Sequence, residues 1–203
     1  MFKKKEFVSK VMDSGFIFID RQTKEKALLE FNVEKIPNTP FYYSLFEKEW
    51  GYGDEMRNWI KAVKGLKGSK LTMIVSDDLF ESDQILIRKF FKTYGKIKKI
   101  EFVTPNQYLS GVETNYIAIT QSNRALTASY IKDGQVWNKK YYDVHNYLLG
   151  EVIEEIKGKN SECEYQQVPI LYNGFYCDME NAVHVTKEDI LNHYIDRYSN
   201  DKM

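Results

Sequence analysis

Four acids could act together: Asp20, Asp77 and Asp78, where strands are expected to end, and Asp143, where a helix is expected to begin. Carboxylates converging from neighbouring strand ends can hold divalent ions and cleave a phosphodiester, so a metal-dependent nuclease is one chemistry open to this chain. Phosphate binding is another. Asp20 and Thr23 lie in one polar turn, within FIFIDRQTKEKALLEF, and Thr120, Ser122 and Arg124 form the tip of a second, within TNYIAITQSNRALTASYIKDGQ. Hydroxyls and a guanidinium held in a tight turn are groups that meet phosphate. Each residue also has a plainer use. A strand-end Asp makes a turn, and S-D-D-x-x-x-S-D from Ser76 caps a helix, where negative charge is favourable. The plainer account is preferred throughout, so no catalytic residue and no metal site is expected.

Little else in the chain carries chemistry. There is no nucleophile elbow, P-loop or zinc-protease motif. His145, His184 and His193 are isolated, and His193 is expected to make a surface pair with Asp189 one turn earlier. Cys163 and Cys177 lack metal-ligand spacing and read as structural thiols of a reducing cytoplasm. Arg88, Lys89, Lys92, Lys96, Lys98 and Lys99 form a basic patch, read as a solvated face. The stretch FYYSLFEKEWGYGDEM is dense in aromatics between Pro and Gly residues. Phe41, Tyr42, Tyr43, Phe46, Trp50 and Tyr52 are taken as a docking surface, the other account being a loop packed over a sheet.

The elements that must position these residues follow from periodicity. GFIFID is an apolar strand, paired as a hairpin with a second over 27–33. Asp54 caps a helix through Val63 with Met56, Trp59, Ile60 and Val63 on one face. KLTMIVS is a buried strand. The helix after it starts near Ser82, carries Ile85, Leu86, Phe90 and Tyr94 at helical spacing and stops at Gly95. A strand over 97–103 and a short helix from Pro105 lead into the hairpin 115–136, which closes on Asp133-Gly134. A helix over 143–156, a polar linker over 158–164, a strand over 167–172, a short return at 175–176 and a capped helix over 187–198 complete the chain. Strands alternating with helices, with hairpins among them, predict a mixed α/β sheet with helices packed on it.

Composition bounds the rest. The chain has 203 residues, 43% hydrophobic and 15% aromatic, enough for a real core. Its 29 basic and 29 acidic residues cancel, which argues against a dedicated nucleic-acid binder. The Lys3–Lys5 run is read as a solvated end, and no apolar stretch reaches the length of a membrane span. A soluble, cytoplasmic protein with no membrane partner is expected.

This order of elements resembles one lobe of the actin, heat-shock chaperone and sugar-kinase ATPase superfamily, which is built on a ribonuclease H-like core. LTMIVSDDLFESDQILIRKFFKTYGKIKKIEFVTPNQYLSG looks like that lobe's middle unit. FIFIDRQTKEKALLEF falls at its first phosphate hairpin, with Asp20 at the family's acid, and IAITQSNRALTASYIKDGQ falls at its second. The resemblance implies a lobe over 1–157 with a C-terminal strand-turn-helix extension over 158–203. Two departures matter. Gln22 stands where the family has Gly, and a Cβ there crowds a backbone meant to approach phosphate. The second tip, Thr-Gln-Ser-Asn-Arg, has neither the family's acid nor its Gly. The stretch after residue 156 is also read as too short for the facing lobe that nucleotide closure needs. The expectation is a degenerate, non-catalytic actin-like protein without cofactor, acting through a protein partner or its own copies by the aromatic stretch or a sheet edge. The alternative is a phosphate-handling enzyme, either a weak ATP–Mg²⁺ binder or the metal nuclease.

Overall fold

The first strand is one the basic N-terminus conceals. β1 (Glu6–Val11) alternates its side chains and pairs antiparallel with β2 (Gly15–Asp20) through the two-residue turn Asp13-Ser14, where the Met12 N–H donates to the Gly15 carbonyl at 2.8 Å. The computed structural model describes residues 5–47, 49–165 and 167–200. Lys3 and Lys4 lie outside them, while Lys5 is ion-paired rather than part of a solvated end. β3 (Lys26–Glu30) completes an antiparallel meander. Its backbone comes so close to β2 that a Cβ on Gly15 would stand 2.0 Å from the Leu29 carbonyl oxygen. Only glycine fits there.

β4 (Lys70–Ile74) then pairs parallel with β1, and β5 (Lys99–Val103) parallel with β4, giving the order β3-β2-β1-β4-β5. The connections include α1 (Ser44–Glu47), α2 (Glu49–Ala62) and α3 (Glu81–Thr93). α2 delivers Tyr52, Met56 and Ile60 to the core at four-residue intervals, and α3 delivers Ile87, Phe90 and Phe91. These meet Phe7, Phe16, Phe18, Leu71 and Met73 of the sheet. Phe16 sits at the centre, with ring centroids 4.9 Å from Phe91 and 5.2 Å from Phe41 in edge contacts. α3 stops as expected at Gly95, followed by Lys96 at φ 54°.

A second sheet repeats the plan. β6 (Tyr116–Gln121), β7 (Ala125–Lys132) and β8 (Gln135–Asp143) form an antiparallel meander. The β7–β8 turn is Asp133-Gly134 with φ 51° and 72°, the mirror-image turn that matches strand twist. β9 (Ile170–Asn173) pairs parallel with β6, and β10 (Ala182–His184) parallel with β9, in the order β10-β9-β6-β7-β8. α4 (Leu149–Gly158) and α5 (Ser161–Tyr165) lay Val152, Ile153, Ile156 and Cys163 on Ile117, Ile119, Leu126 and Ala128. α6 (Lys187–Asn200) reaches the 3-10 turn Pro105–Tyr108, with Tyr194 and Tyr108 in edge contact at 4.9 Å.

Both sheets are mixed, with helices packed on them, and each has the ribonuclease H-like strand order: an antiparallel meander, then two strands parallel to the first. This corrects the expected division at 157. The chain forms two compact units, 1–75 with 79–103, and 76–78 with 104–203. The hairpin expected inside the first lobe opens the second sheet. The segment 135–143, expected to lead straight into a helix, is instead a nine-residue strand, so the helix starts only at Leu149. The expected linker 158–164 contains α5, and the expected return at 175–176 is replaced by β10.

Candidate functional site

Asp20 ends β2 opposite Phe7, near the start of β1. That is the amino-terminal pole of the parallel strands, about 13 Å by strand rise from Val11 at the other pole. Its carboxylate accepts from Lys5 Nζ at 2.5 Å and from the backbone N–H groups of Gln22 and Thr23 at 2.9 and 3.3 Å. Burial works to raise its pKa, but Lys5 and the two N–H groups outweigh it and hold the carboxyl below its ordinary value. The exposed Thr23 hydroxyl donates to the Glu25 carboxylate and accepts from the Glu25 N–H. Asp20 and Thr23 are thus parts of a turn. The first turn in this topology is the one between β1 and β2, where Asp13 is followed two residues on by Gly15, the acid-and-glycine spacing missing at 20–22.

The polar groups gather instead around the β6–β7 hairpin. The short segment 76–78 belongs to the second unit by proximity, and its Asp77 side chain is fully buried. Lys139 from β8 donates to Asp77 Oδ1 at 2.5 Å, and the Tyr141 hydroxyl donates to the Asp77 carbonyl at 3.1 Å. Thr120 donates to Asn106 Oδ1 at 2.9 Å and stands 3.4 Å from Asp77 Oδ2. Asn106 in turn donates to Ser129 Oγ at 2.7 Å and accepts from the Tyr116 hydroxyl on its carbonyl at 2.8 Å. Burial pushes the Asp77 carboxyl up from its ordinary value, with Lys139 opposing. At the tip, Ser122 donates to Asp78 Oδ2 at 2.7 Å and accepts from the N–H groups of Arg124 and Ala125 at 2.9 and 3.2 Å. Among the described residues Asp78 Oδ1 is buried without a hydrogen-bond partner.

Asp77, Asp78, Thr120, Ser122 and Arg124 are therefore brought to one hairpin. Asp143 is not among them: it ends β8, exposed, with the His145 N–H on its carboxylate at 2.8 Å. Among the described residues no group of three or more His, Cys, Asp or Glu is placed to hold a metal ion. Sequence reading missed Lys139 and Asn106. Lys139 sits in an alternating run, VWNKKYY, whose inward position was the available signal.

The aromatic stretch is a correction as well. Phe41, Tyr42 and Tyr52 are only 6%, 3% and 8% exposed and belong to the first core, while Tyr43 donates its hydroxyl to Asp83 at 2.5 Å. Packing claims these rings because the sheet face under α2 and α3 needs apolar cover. The side chains of Phe46 and Trp50 lie outside the described residues. Asp189 caps α6 through Thr186, and His193 Nδ1 meets the Tyr108 carbonyl at 3.2 Å. Cys163 is buried and its thiol is pushed up in pKa by that burial, whereas Cys177 is half-buried.

One cavity lies at the carboxyl ends of β9 and β10. It has a volume of about 600 Å³ and is lined by Asn173, Gly174, Phe175, His184, Thr186 and Lys187, among others. Gly174 adopts φ 96°, and a Cβ there would stand 2.4 Å from the Gln121 carbonyl oxygen, so the position takes glycine on both counts.

No family model matches the sequence, and no curated protein is similar to it. Solved structures that resemble the chain include MreB5 of Spiroplasma citri bound to ADP, with a TM-score of 0.49 and 8% identity over 98% of this chain and 77% of that one. The AlfA filament from a Bacillus subtilis plasmid has a TM-score of 0.49 and 9% identity over 89% and 91% of the two chains. A Bacteroides thetaiotaomicron protein with an actin-like ATPase fold and unknown function has a TM-score of 0.46 and 10% identity over 95% and 96%. The chain's own strand order, an antiparallel meander followed by two strands parallel to its first, is ribonuclease H-like and is present twice.

Proposed function

We propose that this is a non-catalytic actin-like protein that works by protein contact, its own copies being the first partner. One observation carries the reading. At the β6–β7 hairpin the groups that could grip phosphate are already spent on the chain itself: Thr120 on Asn106, Ser122 on Asp78 and on two backbone N–H groups. A phosphate could enter only by breaking bonds that close the turn. The contact surface is the edge strand β8. Among the described residues this nine-residue strand pairs with β7 alone, so its other edge offers a row of backbone donors and acceptors. It also carries Trp137 and Tyr141, which are 66% and 51% exposed, and aromatic anchors of this kind dominate protein interfaces.

Sedimentation velocity across a concentration series tests this. The wild-type chain is expected to associate as concentration rises, Trp137→Glu to stay monomeric, and Tyr176→Glu, exposed but off the edge, to follow the wild type. A wild-type chain that remains monomeric throughout overturns self-association.

The phosphate-handling alternative keeps one supporting observation, the cavity at the carboxyl ends of β9 and β10. Open α/β sheets take ligands at that pole. On this reading ATP with Mg²⁺ raises the melting temperature, and His184→Ala removes the rise. An unchanged melting temperature at saturating ATP–Mg²⁺ eliminates it.

A further inference from the structure

Many of the cations of this neutral chain are matched by acids. Lys5, Arg21, Arg57, Lys70, Lys132, Lys139, Lys140, Lys157 and Lys159 all sit in ion pairs. One region breaks that pattern. From Gln84 to Ile100 the sequence QILIRKFFKTYGKIKKI holds six cations and no acid. Arg88, Lys89, Lys92, Lys96 and Lys98 are all exposed. Lys99 pairs with Glu101, and Arg88 lies over the Phe102 ring at 4.9 Å. Among the described residues Lys89, Lys92, Lys96 and Lys98 form no ion pair.

The same helix exposes large apolar side chains. Phe80, just before α3, and Ile85 within it are 60% and 59% exposed. Ile85, Arg88, Lys89 and Lys92 fall at i, i+3, i+4 and i+7, a single stripe on the face of α3 turned away from Ile87, Phe90 and Phe91. Glu81 at the helix start is the one acid exposed on α3, at the end away from the lysines.

We infer that this stripe of α3, continued by Lys96 and Lys98, is a docking surface for an anionic lipid bilayer. Three properties select lipid over other polyanions. An exposed Ile among cations gains from an acyl–headgroup boundary and gains nothing from a phosphodiester backbone. The cations are chiefly Lys, which protein interfaces disfavour, whereas attraction to a charged surface needs no fixed geometry. The chain as a whole carries no net charge, so the attraction is local to this face. The absence of a helix long enough to cross a membrane does not bear on such a contact.

Co-sedimentation of the full chain with phosphatidylcholine vesicles, with and without phosphatidylglycerol, tests the inference. Binding is expected only to the anionic vesicles and is expected to fall as salt rises. Each lysine near such a surface is worth about a 5-fold change in affinity, so Lys89→Gln with Lys92→Gln should weaken binding about 30-fold. Ile85→Ser should weaken it without changing the salt dependence. These positions are exposed, and an unchanged melting temperature verifies folding. Should that pair fail to fold, Lys96→Gln with Lys98→Gln carries the same expectation. Equal binding to neutral vesicles, no binding to either, or retention on duplex DNA or polyglutamate in place of vesicles overturns the inference.

Discussion

Lys139 Nζ meets Asp77 Oδ1 at 2.5 Å across 62 residues of sequence, with the carboxylate side chain wholly buried and the lysine mostly so. The two partners are not equivalent. Lys139→Met strands a buried carboxylate whose pKa burial already raises, whereas Asp77→Asn leaves a neutral group that can still accept from Lys139. Urea unfolding should show Lys139→Met losing about 3–5 kcal/mol and Asp77→Asn roughly half as much or less. Equal losses would show that burial of the carboxylate does not set the cost.

The Asp20 turn makes a pH-dependent contribution whose sign is fixed by a lowered carboxyl pKa. An unfolded Asp titrates near 3.8, and the folded group titrates below that. The stabilisation is complete above the unfolded value and disappears as pH falls through the folded one. Asp20→Asn should therefore unfold at a lower temperature than wild type at neutral pH, by about 1 kcal/mol of stability, since Lys5 remains partly solvated. The gap should close as pH drops below about 4. A gap that is constant with pH would place the effect in packing instead.

Two glycines separate close approach from mere helix entropy. Gly15→Ala drives a methyl into the Leu29 carbonyl and should cost more than about 3 kcal/mol. Gly51, in α2, has nothing within 4 Å of where a Cβ would go, so Gly51→Ala should stabilise by about 0.5–1 kcal/mol. Thermal melts of the two variants should move in opposite directions.

Phe41→Ala and Tyr176→Ala distinguish core from surface within one residue class. Phe41 packs between Phe16 and Phe31, and its removal should cost about 3–5 kcal/mol. Tyr176 is 88% exposed and its removal should stay within about 0.5 kcal/mol. A mild Phe41→Ala effect would restore the aromatic stretch as a candidate surface.

The elements that could be read directly are those whose pattern is local. GFIFID, KLTMI and the amphipathic run of α3 have one period each and fold as that period dictates. β1 and β8 escaped because both carry lysines inside a strand. In β8 those charges are neutralised by Asp77, 62 residues away, and by Glu155 in α4. No window around VWNKKYY contains the acid that lets it be a strand. Losing β8 hid the second sheet, and with it the doubling of the fold. The candidate site was legible at Thr120 and Ser122 as residue types only. That they are already occupied depends on Asn106 and Asp78, 14 and 44 residues distant. The aromatic stretch failed for the converse reason, since composition does not say which side of a ring meets water.

The three residues 76–78 sit between two strands' worth of the first unit in sequence, yet supply the acid that the second unit buries. The halves are consequently not portable as gene fragments. A polypeptide starting at Thr104 would leave Lys139 facing a site without its counter-charge, and deleting 76–78 from a first-half fragment would join Val75 straight to Leu79. Any recombination, domain swap or truncation that cuts this chain at its apparent midpoint inherits that debt, so the two sheets are expected to have travelled as a single unit of inheritance.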